Sequence, residues 1–595
     1  MAKKELILLQ EAMKEQGIDW YLIPTDDYHQ SEYVGDYFKG RKWVSGFTGS
    51  AGTFVAGQNE AYLFTDGRYY VQAEKELAGS GITLMKSGLT GVPSPEEFIL
   101  EQAKEGCVVA FDKRVVAAEN GELLKTGLEK RGAILKDVDL VDALWQNRPA
   151  RSRQTIYVLE EKYAGEKPED KLARVRKELA EKEGKAHVLT SLDDIAWLYN
   201  LRGSDVANSP LFLSYTYLTM EEAFLFVQRE ALTEEAKVQL QKAGVQIKDY
   251  DDIYEFLSGR DESPVLLDYR AVNSKVVDSF KETVELVKGS NPTRLMKAIK
   301  NPVEIANLRK SHIKDGVVMT KFIYWLKHLD LENEEITEIT GSDYLDEMRR
   351  QTENCTDLSF PTIAGYGANG AMMHYSAKPE SCAILKPGNF YLVDSGGQYL
   401  EGTTDITRTM VLGEISQEQK KHYTAVARGM LNLMGAKFLE GCKGINLDIL
   451  ARGVMWEMGI DYQCGTGHGV GYYSNVHEGP NCIRWKSRVD MDDCELKPGM
   501  ITTDEPGIYL PGQYGIRIEN ELLCVAAEEN EYGRFLVFEP ITYAPIDLDG
   551  IDPSYMNEKE KRLLNDYHKL VYDTISPYLT EEEKDWLLEY TKPVK

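Results

Sequence analysis

Positive charge is in short supply in this chain. Its 69 lysines and arginines face 96 aspartates and glutamates, a formal net charge of −27 over 595 residues. Nucleic acid and anionic membrane both need a basic surface, so neither is expected as a partner. An acidic surface favours cationic ligands such as peptide amino termini. Cysteine is sparse as well: the eight residues are scattered, with no C-x-x-C pair. That argues against a disulfide framework or a structural zinc site and points to reduced thiols in a cytoplasm. No apolar run approaches the roughly 20 residues of a membrane helix. The four apolar residues inside "MAKKELILLQEAMKEQG" are too few for a signal-peptide core. Histidine is sparse too, with nine in all. Two of them, His468 and His477, nevertheless share the glycine-dense run "CGTGHGVGYYSNVHEGP".

What is present divides into regions. At about 150 residues per domain the length predicts three or four domains. "WYLIP" reads as a buried strand after a helix-like pattern over 4–16, and "AYLFTDGRYY" as a strand leading into a helix. Strands alternating with helices imply an α/β layer domain. There is an internal echo: "WYLIPTDD" (Trp20–Asp27) resembles "HVLTSLDD" (His187–Asp194), and "AYLF" at Ala61 parallels "AFLF" at Ala223. Between each pair lies an aromatic-rich patch, "KWVSGFTGS" or "IAWLYNLRGS", and these features in one order predict a duplicated domain over about the first 300 residues. Asn301-Pro302 stands in N-cap and N1 positions of a new helix, after which the chain turns glycine-rich with short strands. The last stretch reads as two amphipathic helices separated by Pro577. The boundaries drawn are 1–155, 156–297 and 298–595.

The third region carries the chemistry. "YLVDSGGQYLEGTTDITRTMVLG" holds Asp394 and Asp405 in β-prone runs, a hairpin or tight strand pair whose carboxylates can face one cavity. "GTGHGVG" offers His468, "TTDEPGIYL" offers Glu505, and "YGIRIENELL" offers Glu519, with Arg517 two residues earlier on the same face. A lone acid is usually a solvated carboxylate, and a lone histidine usually structural; the joint pattern is what counts. Four buried anions without partners would repel and drive their pKa values up. Two divalent cations balance the four charges, a neutral imidazole adds a ligand, and the pair activates a water as hydroxide near neutral pH.

The order Asp394, Asp405, His468, Glu505, Glu519, in the contexts "VDSGG", "TTDITRT", "GTGHGVG", "DEPGIY" and "IRIENE", resembles the pita-bread metallopeptidases, and within them the aminopeptidase P group. "YHQSEYV", "SGFTGSAGT" and "TDGRYYVQAEKEL" are similar to the N-terminal domain of the long, three-domain form. The resemblance covers nearly the whole chain. It implies an α/β (α+β) protein: two creatinase-like N-terminal α/β domains, then a pita-bread catalytic domain with a helical extension. It also implies that Asp394 binds one metal, that Asp405 and Glu519 bridge both, and that His468 and Glu505 hold the other. Glu505 doubles as general acid/base, while His374 in "AMMHYS" and His477 position substrate and stabilise the tetrahedral intermediate. Arg517 orients a ligand carboxylate. The implied cofactor is a pair of divalent ions, Mn²⁺ before Zn²⁺ or Co²⁺. One departure is Cys464, where the family often has a histidine four residues before the metal histidine; it is read as a small filler rather than a ligand.

The function expected is a cytoplasmic, homodimeric metallo-aminopeptidase releasing the first residue of peptides with proline second. Two alternatives stand beside it. A prolidase acting on X-Pro dipeptides shares the ligands but is generally shorter. A non-catalytic binding protein on the same fold typically loses ligands, and here all five are present. The C-terminal helices are either a dimerisation element or a cap on the catalytic domain.

Overall fold

The computed structural model describes residues 3–487 and 493–595. The chain forms two compact units: residues 1–161 with 166–293, and residues 162–165 with 294–595.

The first unit contains two six-stranded mixed sheets. Strands Trp20–Pro24 (β1), Thr53–Gly57 (β2), Ala61–Thr65 (β3), Thr83–Lys86 (β4), Val108–Phe111 (β5) and Ile134–Asp137 (β6) lie in the order β4-β3-β2-β1-β5-β6. Ala186–Leu189 (β7), Ser214–Thr219 (β8), Ala223–Val227 (β9), Val245–Asp249 (β10), Val265–Leu267 (β11) and Leu286–Lys288 (β12) repeat it as β10-β9-β8-β7-β11-β12. The senses match as well: β1–β2 and β2–β3 are antiparallel and β3–β4 parallel, as are β7–β8, β8–β9 and β9–β10 in turn. The two echoed segments thus occupy the same places, β1 with β7 and β3 with β9. "WYLIP" is apolar throughout because both its faces are covered. Tyr21 and Ile23 enter one core with Leu6, Leu9 and Met13 of the helix Lys4–Glu15, while Trp20 and Leu22 enter another with Phe98 and Leu124. His29, from the first half, bonds Thr190 O at 3.0 Å and the Tyr250 hydroxyl at 2.7 Å in the second.

The second unit starts in the short helix Pro292–Ala298 (α1) and the long helix Pro302–Lys327 (α2). Asn301 caps α2 as expected: its Oδ1 accepts from the Val303 and Glu304 N–H groups, and Glu304 returns a bond to Asn301 N–H, with Pro302 at the first helical position. Ile363–Tyr366 (β13), Asn389–Ser395 (β14) and Ile406–Leu412 (β15) make an antiparallel sheet. A six-stranded sheet joins Lys437–Leu439 (β16), Gly467–Gly469 (β17), Glu478–Ile483 (β18), Ile501–Asp504 (β19), Asn520–Asn530 (β22) and Gly533–Pro540 (β23) in the order β16-β23-β22-β19-β17-β18; Gly507–Leu510 (β20) pairs with Tyr514–Arg517 (β21). Helices Gln417–Met434 (α3), Gly444–Trp456 (α4), Glu558–Ile575 (α5) and Glu581–Tyr590 (α6) pack around these sheets. Leu564, Val571 and Ile575 of α5 and Leu587 of α6 are buried in the core of this unit, with Val426, Met430 and Leu522. The last two helices therefore cap the catalytic unit with their apolar faces.

Candidate metal centre and its relatives

Strand pairing delivers the acids to one place. In the β14–β15 ladder Asp394 faces Thr407 and Ser395 faces Ile406, so Asp405 falls one residue outside the ladder beside Asp394's end. In the large sheet Asp504 is opposite Asn520, which puts Glu505 and Glu519, the next residue outward on each chain, at a common edge. His468 is the centre of β17. Gly467 and Gly469 flank it because no side chain fits: a Cβ on Gly467 would lie 2.0 Å from Thr503 O, and one on Gly469 2.2 Å from Glu478 O.

Ligand atoms of Asp405, His468 and Glu519 all lie within 4.8 Å of one another. His468 Nε2 is 3.6 Å from Asp405 Oδ2 and 3.4 Å from Glu505 Oε1. Its Nδ1 donates to Gly469 O at 2.9 Å, which assigns the proton to Nδ1 and leaves the Nε2 lone pair aimed at the acids. Asp394 joins through Arg517, whose guanidinium donates to Asp394 Oδ2 at 2.5 Å, to the Tyr509 hydroxyl at 2.7 Å and to Met373 O at 3.4 Å. The last bond holds the chain at half-buried His374. The rings of His477 and His468 are perpendicular, with centroids 4.4 Å apart.

The electrostatics are those of buried acids crowded together. Burial, then the neighbouring charges of Glu519, Asp394 and Glu505, pushes the Asp405 carboxyl far above the usual range. Glu519 is driven well up by burial and by Glu505 and Asp394. Glu505 rises to about 7, chiefly through burial, with Arg517 pulling the other way. Asp394 Oδ1 is buried and has no hydrogen-bond partner among the described residues. Ligand atoms about 2.1 Å from a common ion sit roughly 3–3.5 Å apart, close to the 3.4 and 3.6 Å separations at His468 Nε2. An orphaned oxygen, an inward lone pair and mutually repelling carboxylates fit divalent cations.

Several neighbours escaped the sequence reading. Thr407 donates to Glu519 Oε2 at 2.6 Å and accepts from Arg517 Nε at 3.1 Å, so one hydroxyl joins a candidate ligand to the arginine. Glu521 accepts from the Asp405 N–H at 2.7 Å and faces His312 Nε2 at 3.0 Å. Thr407 lies inside "TTDITRT" and Glu521 inside "IRIENE", but only the partner strands reveal what they touch. Glu519 itself stands between β21 and β22 rather than within one strand, yet Thr407 meets both it and Arg517. Cys464 O accepts from Arg452, a buried residue bound also to Asp448.

Residues 306–526 match metallopeptidase family M24, 534–594 the C-terminal region of peptidase M24, and 6–144 and 147–304 creatinase/prolidase N-terminal domains. The probable Xaa-Pro aminopeptidase P of Coprinopsis cinerea is 38% identical over 99% of this chain and 98% of its own length. The chain belongs to the Xaa-Pro aminopeptidase P family. Its counterpart in Talaromyces marneffei is 39% identical, covering 100% of this chain and 92% of that one. Among solved structures, the X-prolyl aminopeptidase of Caenorhabditis elegans, described as a cytosolic enzyme with a di-nuclear active site, superposes with a TM-score of 0.92 at 33% identity over 97% of this chain and 95% of that one. The Xaa-Pro dipeptidase of Bacillus anthracis shares the fold over 64% of this chain and 99% of its own, with a TM-score of 0.51 at 24% identity. This member of the family thus has the two creatinase-like domains and the pita-bread catalytic domain that its motifs implied.

Proposed function

We propose that this metallopeptidase removes the first residue from peptides with proline in second position, using Asp394, Asp405, His468, Glu505 and Glu519 to hold two divalent ions. The observation that carries it is the clustering of Asp405, His468 and Glu519 ligand atoms within 4.8 Å of one another, with Glu505 Oε1 3.4 Å from the inward His468 Nε2 and Asp394 joined to the group through Arg517. When bound, the ions supply Lewis-acid polarisation of the scissile carbonyl and acidify the attacking water. Glu505 takes the proton from that water as it attacks the carbonyl carbon. It then delivers the proton to the proline nitrogen as the C–N bond breaks, which frees the first residue as an amino acid. His477 and His374 donate to the developing tetrahedral oxygen and position the substrate. Arg517 holds Asp394 in place through its charge-assisted bond. An X-Pro bond lacks the amide N–H that many peptidases grip, so recognition falls to the carbonyl and the free amine.

Mn²⁺ is the proposed metal, on the oxygen-rich donor set. The domain division proposed is 1–155, 156–297 and 298–595, supported by one six-stranded sheet in each of the first two segments. A cytoplasmic location agrees with the C. elegans relative; among the described residues no helix is long and apolar enough to cross a membrane. A homodimer is supported by exposed apolar side chains on the catalytic unit, where Trp456 and Trp485 meet edge-to-face at 5.9 Å. Sedimentation of the full chain as a monomer at micromolar concentration would remove that part.

The test is cleavage of Arg-Pro-Pro against Arg-Ala-Ala by Mn²⁺-loaded protein. Release of arginine from the proline peptide alone is expected. Equal turnover of both, or none, sinks the specificity. Turnover of Arg-Pro but not Arg-Pro-Pro would favour the prolidase reading.

A further inference from the structure

Behind the histidine pair lies an ion triad that the reaction itself does not use. Glu478, the residue after His477, is 4% exposed, Lys297 at the end of α1 is 4% exposed, and Lys300 is 3% exposed. Lys300 Nζ donates to Glu478 Oε1, and to Lys297 O at 2.9 Å, while Lys297 Nζ lies 3.7 Å from Glu478 Oε2. Desolvating three charges is costly, and only close geometry offsets it; removing one partner leaves an uncompensated buried charge. An apolar trio could fill the same space, but it would not fix a direction.

The direction matters because of what the segment 297–300 touches. Glu478 opens β18 and stands opposite Gly469, the residue after His468. Asn481 of the same strand donates to Ile501 O at 3.0 Å, tying β18 to β19. On its other side the segment is stitched directly to the lead-in of β19: Ile299 bridges Met500, and the Lys300 N–H donates to Gly499 O at 2.9 Å. One short stretch of chain therefore clamps the strand that starts beyond His477 and the strand that ends one residue before Glu505.

We propose that Lys297, Lys300 and Glu478 are positioning residues: the triad fixes the main chain at His477, so that its imidazole meets the reacting carbonyl. This rests on the role given to His477 above. The experiment compares Glu478→Ala, Lys300→Met and His477→Ala, singly and combined, as Mn²⁺-loaded full chains, with metal content and proline-peptide kinetics read together. Misplacing a catalytic group by an ångström costs about 100-fold in rate, so E478A is expected to lower kcat by about that factor per metal-loaded site, with KM within about threefold. Because the glutamate acts through the histidine, adding E478A to H477A is expected to change kcat by less than about twofold. If E478A does not fold, K300M carries the same test, with a loss of kcat that vanishes in the H477A background.

Wild-type kcat per loaded site in E478A or K300M overturns the proposal. So do losses that multiply with those of H477A, or a variant whose only defect is a smaller folded fraction. Failure of the peptidase reading would look different: the unaltered enzyme would release nothing from the proline peptide.

Discussion

At the scale of single residues, His468 shows how little freedom the centre has. Its Nδ1 proton is committed to Gly469 O, and its Nε2 faces the carboxylates of Asp405 and Glu505. His468→Ala is therefore expected to lose one metal ion per chain and nearly all turnover; mass-spectrometric metal analysis beside the peptide assay checks both, and full metal content in this variant would contradict the assignment. Thr407 gives a subtler case. Thr407→Val keeps the shape but strips a hydrogen bond from buried Glu519 and another from Arg517. Groups that orient a metal ligand typically contribute about 10–100-fold in metal affinity. A loss of that size is expected in a metal titration of T407V, with the fold intact by circular dichroism. The five candidate ligands were legible because each sits in a recognisable local context. Thr407, Glu521 and His312 were not, since a threonine on a strand acquires meaning only from the chain opposite.

At the scale of elements, periodicity and turn chemistry located much of the fold. "WYLIP", "AYLF" and "AFLF" are strands where read, because apolar runs of that length with both faces covered have no other stable use. Asn301-Pro302 starts a helix because an Asx oxygen satisfies the first N–H groups and proline needs none. Asn301→Ala removes that cap from a 26-residue helix and is expected to destabilise the catalytic unit by about 1 kcal/mol, seen as a lower urea midpoint. The C-terminal helices were open to two readings in sequence. Amphipathic periodicity says that one face is covered, not by what. In the fold α5 covers its own unit's core, so Leu564→Ala is expected to cost about 2–5 kcal/mol in thermal or urea melts; a cost near zero would remove the cap assignment.

Over the whole molecule, buried neutral histidines make a definite contribution to acid sensitivity. His187, fully buried in β7, donates Nδ1–H to Leu266 O, and burial lowers its pKa to about 4. His568 of α5, lowered to about 3 by burial, accepts the Ile546 N–H through Nε2 at 3.1 Å and so must be neutral. The unfolded chain protonates these rings near pH 6.5. Between that value and the folded one the unfolded state binds more protons, so stability falls as pH drops from about 6.5 to about 4 and is flat above. His187 alone accounts for about 3 kcal/mol over that window. His187→Gln is expected to flatten the pH dependence of unfolding in the first unit; an unchanged slope would exclude this histidine. Metal removal acts through the other unit: ions bind only where the ligands converge, so a chelator should lower its melting temperature and Mn²⁺ restore it.

Local chemistry was enough to determine the α/β class, the repeated half and the cap of α2, and to single out five candidate metal ligands, because strands, caps and ligand types are properties of short stretches. What tertiary structure decided was convergence: which oxygen of Asp394 Arg517 takes, which nitrogen of His468 faces inward, and which hydroxyl joins Arg517 to Glu519. The first and last depend on pairing between residues more than 100 positions apart, the second on how the strand turns the His468 ring toward the neighbouring Gly469 O, and a distance of a few ångströms across such gaps is written in no single segment.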